Sequence, residues 1–406
     1  MAVLGITNLK PLYQIFLQTS QTWTADRTGT LKCVAIGAGG GGGCSSNSGF
    51  SGGGGAGGYS EQIIAVTLGD TFTATVGAAG AQKTLANYNV SSGKLDGADG
   101  GDSRFVTASG ATIDINAGGG GGGVANRVVA IGSSVAGGAG GTASGGTSNR
   151  VGGAGGSAQS MGGANANGGS AGGGGAVAIR SAVGYRGGNC TGITGAANKS
   201  SAGGGAGIGG NGGDSTTNNT DQCGSGGGSG AAGVTNAGAS SNQIRPQNGG
   251  IMANYLDPEL NHTVGVQVGV AGNIAYQGFG ADVGGGNSIM PADAPEDIFN
   301  VFGTGGAASQ AGNEITLEKG GAGGGGGGIA NNSSGNTESR PTGGVFGGGG
   351  GKASNVFASK YQTGNGGPFG GGGGGAVSAL ASGNQQVFSG AGASGVIILQ
   401  WLSYAV

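Results

Sequence analysis

Apolar and polar positions alternate in only a few places along the chain, and those places are confined to its two ends. "LKCVAI" (31–36) reads as a strand. "EQIIAVTLGDTFTATVG" (61–77) alternates on both sides of Leu68-Gly69-Asp70 and predicts a hairpin. "RFVTASGATIDIN" (104–116) predicts a second pair of strands turning at Gly110, and the chain closes on the apolar run "GVIILQWLSYAV". These β-branched segments are enough for a small conventional core.

Everything between them is punctuated by glycine. Tracts occupy 37–43, 52–58, 118–123, 137–141, 152–156, 168–175, 203–213, 224–230, 320–328, 343–351, 366–375 and 390–395, separated by polar loops of uneven length. This repeat of tract and loop lacks the fixed period of a solenoid. In total 111 of 406 residues are glycine, and "GGAGGGGGGIANNSSGN" contains six in a row, Gly323 to Gly328. A flexible linker is the first reading such composition invites. Hydrophobic residues make up 35% of the chain and charged ones only 8%, however, whereas solvated disorder is charge-rich and poor in apolar side chains. Collagen is excluded too, because strict Gly-X-Y spacing fails within each tract and seven prolines are too few.

The remaining way to order such tracts is an extended helix with three residues per turn, rising about 3.1 Å per residue and making no internal hydrogen bonds. Its amides need partners outside. Helices packed side by side supply them, each N–H pairing with a neighbour's carbonyl, and the absence of a Cβ permits the close approach. Proline has no N–H to donate, and a larger side chain would wedge the helices apart. Ordering each glycine costs entropy, so the tracts are expected to hold only by packing on one another.

Four phrases in order, "WTADRTGTLKCVAIGAGGGGG", "GGGGAGGYSEQIIAVTLGDTFTATVG", "GADGGDSRF" and a final "GASGVIILQW", resemble the glycine-rich domain of bacteriophage tail fibres and tail-tip adhesins. The resemblance extends from Trp23 to Trp401; between Ala231 and Asn300 the glycine content thins and "NQIRPQNGGIMANYLDPELNHT" departs from it. It implies a mainly β and irregular fold: a small β-strand base built from the N- and C-terminal segments, carrying a layered bundle of polyglycine-II helices joined by variable loops. The corresponding organisation is an attachment segment at 1–30, a β-rich base with the first tracts at 31–117, a bundle at 118–230, an inserted loop region or subdomain at 231–300, and bundle plus closing strand at 301–406. It implies a virion protein of the tail or tail fibre, assembled in the host cytoplasm. Its partners would be a bacterial surface receptor, polysaccharide or outer-membrane protein, and other phage tail or fibre proteins. The alternative is a purely structural tail-tip cap, fibre shaft or adaptor.

The apolar N-terminal segment "MAVLGITNLKPLYQIFLQ" is interrupted by Lys10 and Pro11 and is too short to span a bilayer, so neither a secretion signal nor membrane insertion is expected. Leu9, Leu12, Tyr13, Ile15 and Phe16 are candidates for docking on another virion protein, the alternative being that the segment packs on its own base. A net charge of −2 and an isoelectric point near 5.4, with no basic cluster, give nucleic-acid binding no support.

No catalytic, cofactor or metal site is expected. "GGSAG" around Ser170 fits a nucleophile-elbow pattern that so much glycine produces by chance, and His262 is the only histidine. Lys352 follows a glycine run but precedes Ala353, which breaks the phosphate-loop pattern. "GADGGDSRF" and "GGNGGD" partly match a calcium-binding nonapeptide and would offer Asp99, Asp102 or Asp214 as ligands, with the apolar slot filled by Arg104 or Thr216 instead. Cys33, Cys44, Cys190 and Cys223 have no metal-ligand spacing and are expected as thiols.

Loops on a rigid scaffold are where recognition is expected. If the first and last strands share a base, tracts alternate outward and inward. Loops 44–51, 124–136, 157–167, 214–223, 331–342 and 376–389 then lie at the far end, and 176–202 and 352–365 lie near the base. Receptor-binding candidates on the far loops are Phe50, Arg127, Asn331, Asn332, Arg340, Gln385 and Phe388. Composition adds Tyr185, Arg186 and Tyr361.

Overall fold

The computed structural model describes residues 9–404 apart from 47–48, 87–92, 128–131, 161–168, 180–182, 192–199, 217–221, 225, 229–231, 234, 236–319, 321–323, 332–340, 355–359 and 379–385. The described part is mainly β-strand and extended chain, with no helix and no closed barrel. The segment read as an insertion, 231–300, His262, and the candidates Asn332, Arg340 and Gln385 fall outside it or almost entirely so.

The base is two five-stranded antiparallel sheets face to face. The first orders Leu9–Leu17, Val396–Tyr404, Gly29–Ile36, Tyr59–Val66 and Ser148–Arg150; the second orders Ala143–Ser144, Asp114–Ala117, Ser103–Ser109, Thr71–Thr75 and Gln21–Thr24. Alternation along the strands sends Leu31, Cys33, Ile64, Val66, Ile397, Leu399 and Trp401 of the first sheet onto Phe72, Ala74, Phe105 and Ile115 of the second. The Phe72 and Phe105 rings stack at 5.0 Å. Burying one such large side chain stabilises by roughly 1.5–3 kcal/mol.

The expected hairpin at 61–77 is not one. Tyr59–Val66 pairs with Gly29–Ile36 in the first sheet, and Thr71–Thr75 pairs with Ser103–Ser109 in the second. The turn between them carries the chain from one sheet to the other at the surface. It holds its shape through Gly69 at φ 92 and the Asp70 carboxylate accepting the Thr67 amide at 2.8 Å. The second pair, Ser103–Ser109 with Asp114–Ala117, is antiparallel and does turn at Gly110, with φ 95.

The opposite face of the first sheet is covered as well, which is why Cys33–Ile36 reads as a continuous apolar run. Val34, Ile36, Tyr59, Val396 and Ile398 meet Val177, Ile179, Ile208 and Phe346, which sit where glycine tracts turn back. Two of these turns repeat a phrase, "GVFGGGG" at 344–350 and "GPFGGGG" at 367–373. Both Phe346 and Phe369 sit at φ 65, a left-handed conformation costing a non-glycine residue about 1–3 kcal/mol. Burial offsets it for Phe346, which is 4% exposed. Phe369 stacks on Phe16 of the N-terminal strand at 5.9 Å. A buried pair, Lys32 and Glu61 at 3.3 Å, lies on the same face, with the Tyr59 hydroxyl donating to Glu61.

From this base the tracts run side by side, and their hydrogen bonds rotate with a period of three. In 37–43, Gly37, Gly40 and Gly43 donate to the carbonyls of Gly58, Gly55 and Gly52; Ala38 and Gly41 donate to Gly101 and Ala98; Gly39 and Gly42 donate to Ala393 and Gly390. In 52–58, Gly52, Gly55 and Gly58 donate to Val124, Gly121 and Gly118, Gly53 and Ala56 to Gly156 and Gly153, Gly54 and Gly57 to Gly373 and Gly370. The carbonyls of 52–58 accept from three further tracts, through Gly37, Gly40 and Gly43, through Gly138 and Gly141, and through Gly175. Tracts 37–43, 171–177, 347–352 and 370–376 are surrounded in the same way. Base and bundle are interleaved along the chain, because strands at 143–150 come after the tracts through 137–141 and return to the sheets.

Candidate functional site

The far end of the bundle is where outward tracts become inward ones. Outward tracts end in the strands Ile329–Asn331, Lys352–Ser354, Ala376–Ser378 and Cys44–Ser46, parallel neighbours in one sheet that Lys94–Leu95 closes antiparallel. Inward tracts begin in Phe50–Ser51, Gly169–Ala171, Ser200–Ala202 and Gln222–Cys223, parallel neighbours in a second sheet edged by Ala125–Asn126. A third joins Lys360–Gln362, Gln386–Phe388 and Thr84–Ala86.

Glycine can hold the lattice but cannot fill a core, so at this collar the smallest side chains take over. Ala171, Ala202, Ala353 and Val377 form one buried cluster, Cys44, Leu85, Ala376 and Val387 another, and Phe50, Val135 and Ala158 a third. Buried serines satisfy themselves on carbonyls: Ser45 Oγ donates to Asn126 O at 2.8 Å, Ser51 Oγ to Ala376 O at 3.0 Å and Ser170 Oγ to Gln159 O at 2.6 Å. Ser170 is thus a structural hydroxyl. Burial pushes the Cys190 thiol up to about 12, and those of Cys33 and Cys44 further, so all three are unreactive thiols.

Of the receptor-binding candidates, Asn331, Tyr361 and Phe388 lie in collar strands and Arg127 directly succeeds Ala125–Asn126. Arg127 is half-buried, with its amide on the Asn126 side-chain oxygen at 2.8 Å. Phe50 is also at this end but fully buried against Val135 and Ala158, which corrects its reading as a surface contact. Tyr185 and Arg186 lie elsewhere. The stretch 176–202 conceals a further outward tract: Gly184, Gly187 and Cys190 donate to Val151, Ala154 and Ser157, and Arg186 pairs with Asp214 at 2.8 Å on the bundle's flank. The loop expected near the base at 352–365 begins in Lys352–Ser354, parallel to Ala376–Ser378, and so leaves from the far end instead. The reason is an inward tract without a glycine run, where Gly350 donates to Pro341 and Gly344 to Gly324.

At the other end of the molecule, the proposed docking segment is an edge strand paired with Val396–Tyr404 along its length. Ile15 packs on the core and Phe16 remains 41% exposed; nothing is described of the Leu9, Leu12 and Tyr13 side chains.

The aspartates read as calcium candidates have another task. Tract 118–125 donates to the backbone of neighbouring tracts, 136–142 and 38–41, on two of its three donor sides; on the third, Gly119, Gly122 and Ala125 donate to the carboxylates of Asp102, Asp99 and Asp96 at 2.9, 2.7 and 2.8 Å. Carboxylates at every third residue meet amides at every third residue. The same device recurs in "NGGD", where Asn211 and Asp214 accept the amides of Arg186 and Asn189 at 3.0 and 2.8 Å. Burial raises the Asp214 pKa, but Arg186 and the Asn189 amide outweigh it and hold the carboxyl below 3.8. Among the described residues, no group of three or more His, Cys, Asp or Glu could hold a metal.

No curated protein matches the chain. The glycine-rich domain family matches residues 17–256, more than half of the sequence and including the N-terminal base strands and the tracts through 224–230, and the chain belongs to that family.

Proposed function

We propose that the tracts are polyglycine-II helices in a hexagonally packed bundle, and that the protein is a phage tail or tail-fibre adhesin that presents receptor-binding loops on this bundle. The three-residue rotation of the hydrogen bonds, with a tract such as 52–58 donating to three neighbours and accepting from three others, supports the helix assignment. One observation carries the function: the connections after Cys44–Ser46, Lys352–Ser354 and Ala376–Ser378, and those before Phe50–Ser51, Gly169–Ala171 and Ser200–Ala202, all open at the end opposite the base. The backbone bonds inside the bundle do not depend on the sequence of those connections, so they are free to vary against a surface receptor while the scaffold stays rigid. Residues at that end, Arg127, Tyr361 and Phe388, are the contacts we assign, alongside Asn332, Arg340 and Gln385 of the connecting loops. The sequence resemblance supplies the phage context.

The test is adsorption. Purified protein is labelled and mixed with a panel of bacteria, and its ability to block phage infection of any strain it binds is scored. Saturable binding that is lost when 379–385 is replaced by a short Gly-Ser connection supports the reading. A folded protein that binds no strain in the panel, and blocks no infection, points to the structural cap or adaptor instead.

A further inference from the structure

The flank of the bundle raises a question of its own: what stops the lattice from growing? Inside, the middle of each fully surrounded tract is pure glycine, as at 39–43, 52–55, 172–175, 347–351 and 370–375. A Cβ built on Gly53 would lie under 3.0 Å from the Gly173 carbonyl, and one on Gly138 equally close to Gly121. Interior alanines occur only at the ends of tracts, near the base at Ala38, Ala56, Ala176 and Ala206 and in the collar at Ala171, Ala202, Ala353 and Ala376. A lattice held by backbone groups alone has the weakness of an open β-sheet edge, since any further chain of the same kind can add to it.

The flank tracts carry a different pattern. Across 135–142 the residues alternate with a period of three, Gly138 and Gly141 buried, Ala136, Ala139 and Thr142 exposed. Across 151–156, Val151 and Ala154 are exposed while Gly152, Gly153, Gly155 and Gly156 are buried. Ala78 and Ala81 are exposed in the same rhythm beside buried Gly77 and Gly80. The two tracts 135–142 and 151–156 are lattice neighbours, with Gly152 donating to Gly141 and Gly155 to Gly138, so their exposed side chains share one flank. On the adjoining side, Asp96, Asp99 and Asp102 cover the outward amides with charge.

We infer that Ala136, Ala139, Val151 and Ala154 terminate the lattice: their Cβ atoms occupy the places a further glycine tract would need, and so prevent copies of this protein from joining flank to flank. Glycine would satisfy the tract backbone equally well at these exposed positions. An outward methyl at every third residue, about 9.3 Å apart on a rise of about 3.1 Å, holds an approaching tract beyond hydrogen-bonding distance.

The experiment replaces Ala136, Ala139, Val151 and Ala154 with glycine together, and in a second protein with serine, which keeps a Cβ. Self-association of the full chain is followed by sedimentation over a wide concentration range. The glycine variant is expected to associate at least about tenfold more tightly than the parent, and the serine variant to match the parent. Ala139→Gly and Ala154→Gly singly are measured as well, so that misfolding of the fourfold variant leaves a readout. Unchanged sedimentation of every folded glycine variant overturns the inference. So does a serine variant that associates as strongly as the glycine one, or a parent that already associates through this flank and is dispersed by Ala139→Arg.

Discussion

Replacing Gly53 with alanine sets two effects of opposite sign against each other. At an unstrained, roomy site, Gly→Ala stabilises by about 0.4–1 kcal/mol, because the unfolded chain has less freedom to lose. Gly53 is not such a site. Its amide donates to Gly156 at 3.0 Å, its carbonyl accepts from Gly138 at 2.8 Å, and a Cβ would meet the Gly173 carbonyl at under 3.0 Å. That neighbour is backbone held in its own lattice bonds and has no rotamer to yield. Overpacking costs about 1–3 kcal/mol, and each hydrogen bond stretched or lost adds about 0.5–1.5 kcal/mol. The clash wins, and the net loss is about 1–4 kcal/mol, a large share of an ordinary domain's stability. Urea unfolding, monitored by circular dichroism and by the fluorescence of Trp23 and Trp401, measures it. Ala154→Gly at an exposed flank position is the control and is expected to cost no more than about 1 kcal/mol. A Gly53→Ala protein as stable as the parent, or more so, would refute the reasoning outright.

Gly325→Val places a branched side chain against Gly205 in the same way and is expected to destabilise more than Gly53→Ala, read as a lower thermal midpoint. Asp99→Ala should cost about 0.5–1.5 kcal/mol and speed exchange of the Gly122 amide, whereas Asp99→Asn retains an acceptor and should recover most of the loss. Asp214 has its pKa lowered in the folded state. Its contribution is therefore complete above the unfolded value near 3.8 and is lost as pH falls through the lower folded value. Asp214→Asn should accordingly lower the urea midpoint at pH 6 and have a shrinking effect below pH 3.8. The thiols of Cys33, Cys44 and Cys190 should resist a thiol reagent at pH 8 until urea unfolds the protein.

The strands of the base are legible in the sequence because alternation reports burial on one face, and Leu31–Ile36 and Val396–Leu402 pair as their patterns imply. Alternation does not encode which sheet a strand joins: the residues on either side of Gly69 point into one core whether they form a hairpin or cross between sheets. Glycine runs mark the interior tracts and hide the others. "GAAGAQ", "DGADGGD" and "GYRGGN" are tracts too, but each needs glycine only where it faces a neighbour. Their signal is a local triplet, G-x-x or D-G-x, present in the sequence and easily discarded with collagen. Without the inward tracts at 341–344 and 363–367, an alternating count of outward and inward runs assigns 352–365 to the base end, whereas with them the loop falls at the far end. The same triplet separates structural aspartates from metal ligands, since Asp96, Asp99 and Asp102 face amides at equal spacing. At the collar, a half-buried aromatic and a core aromatic look alike in a polar loop, so the sequence does not distinguish Phe388 from Phe50.

Residue-resolved amide hydrogen exchange tests the threefold lattice most directly. The account predicts slow exchange throughout Gly37 to Gly43, where every amide is bonded to a neighbouring tract. It predicts a broken pattern in 152–156: Gly152, Gly153, Gly155 and Gly156 protected, and Ala154, whose amide has no partner among the described residues, exchanging fast between them. Uniformly fast exchange across both tracts, or protection that departs from the three-residue period, would contradict it.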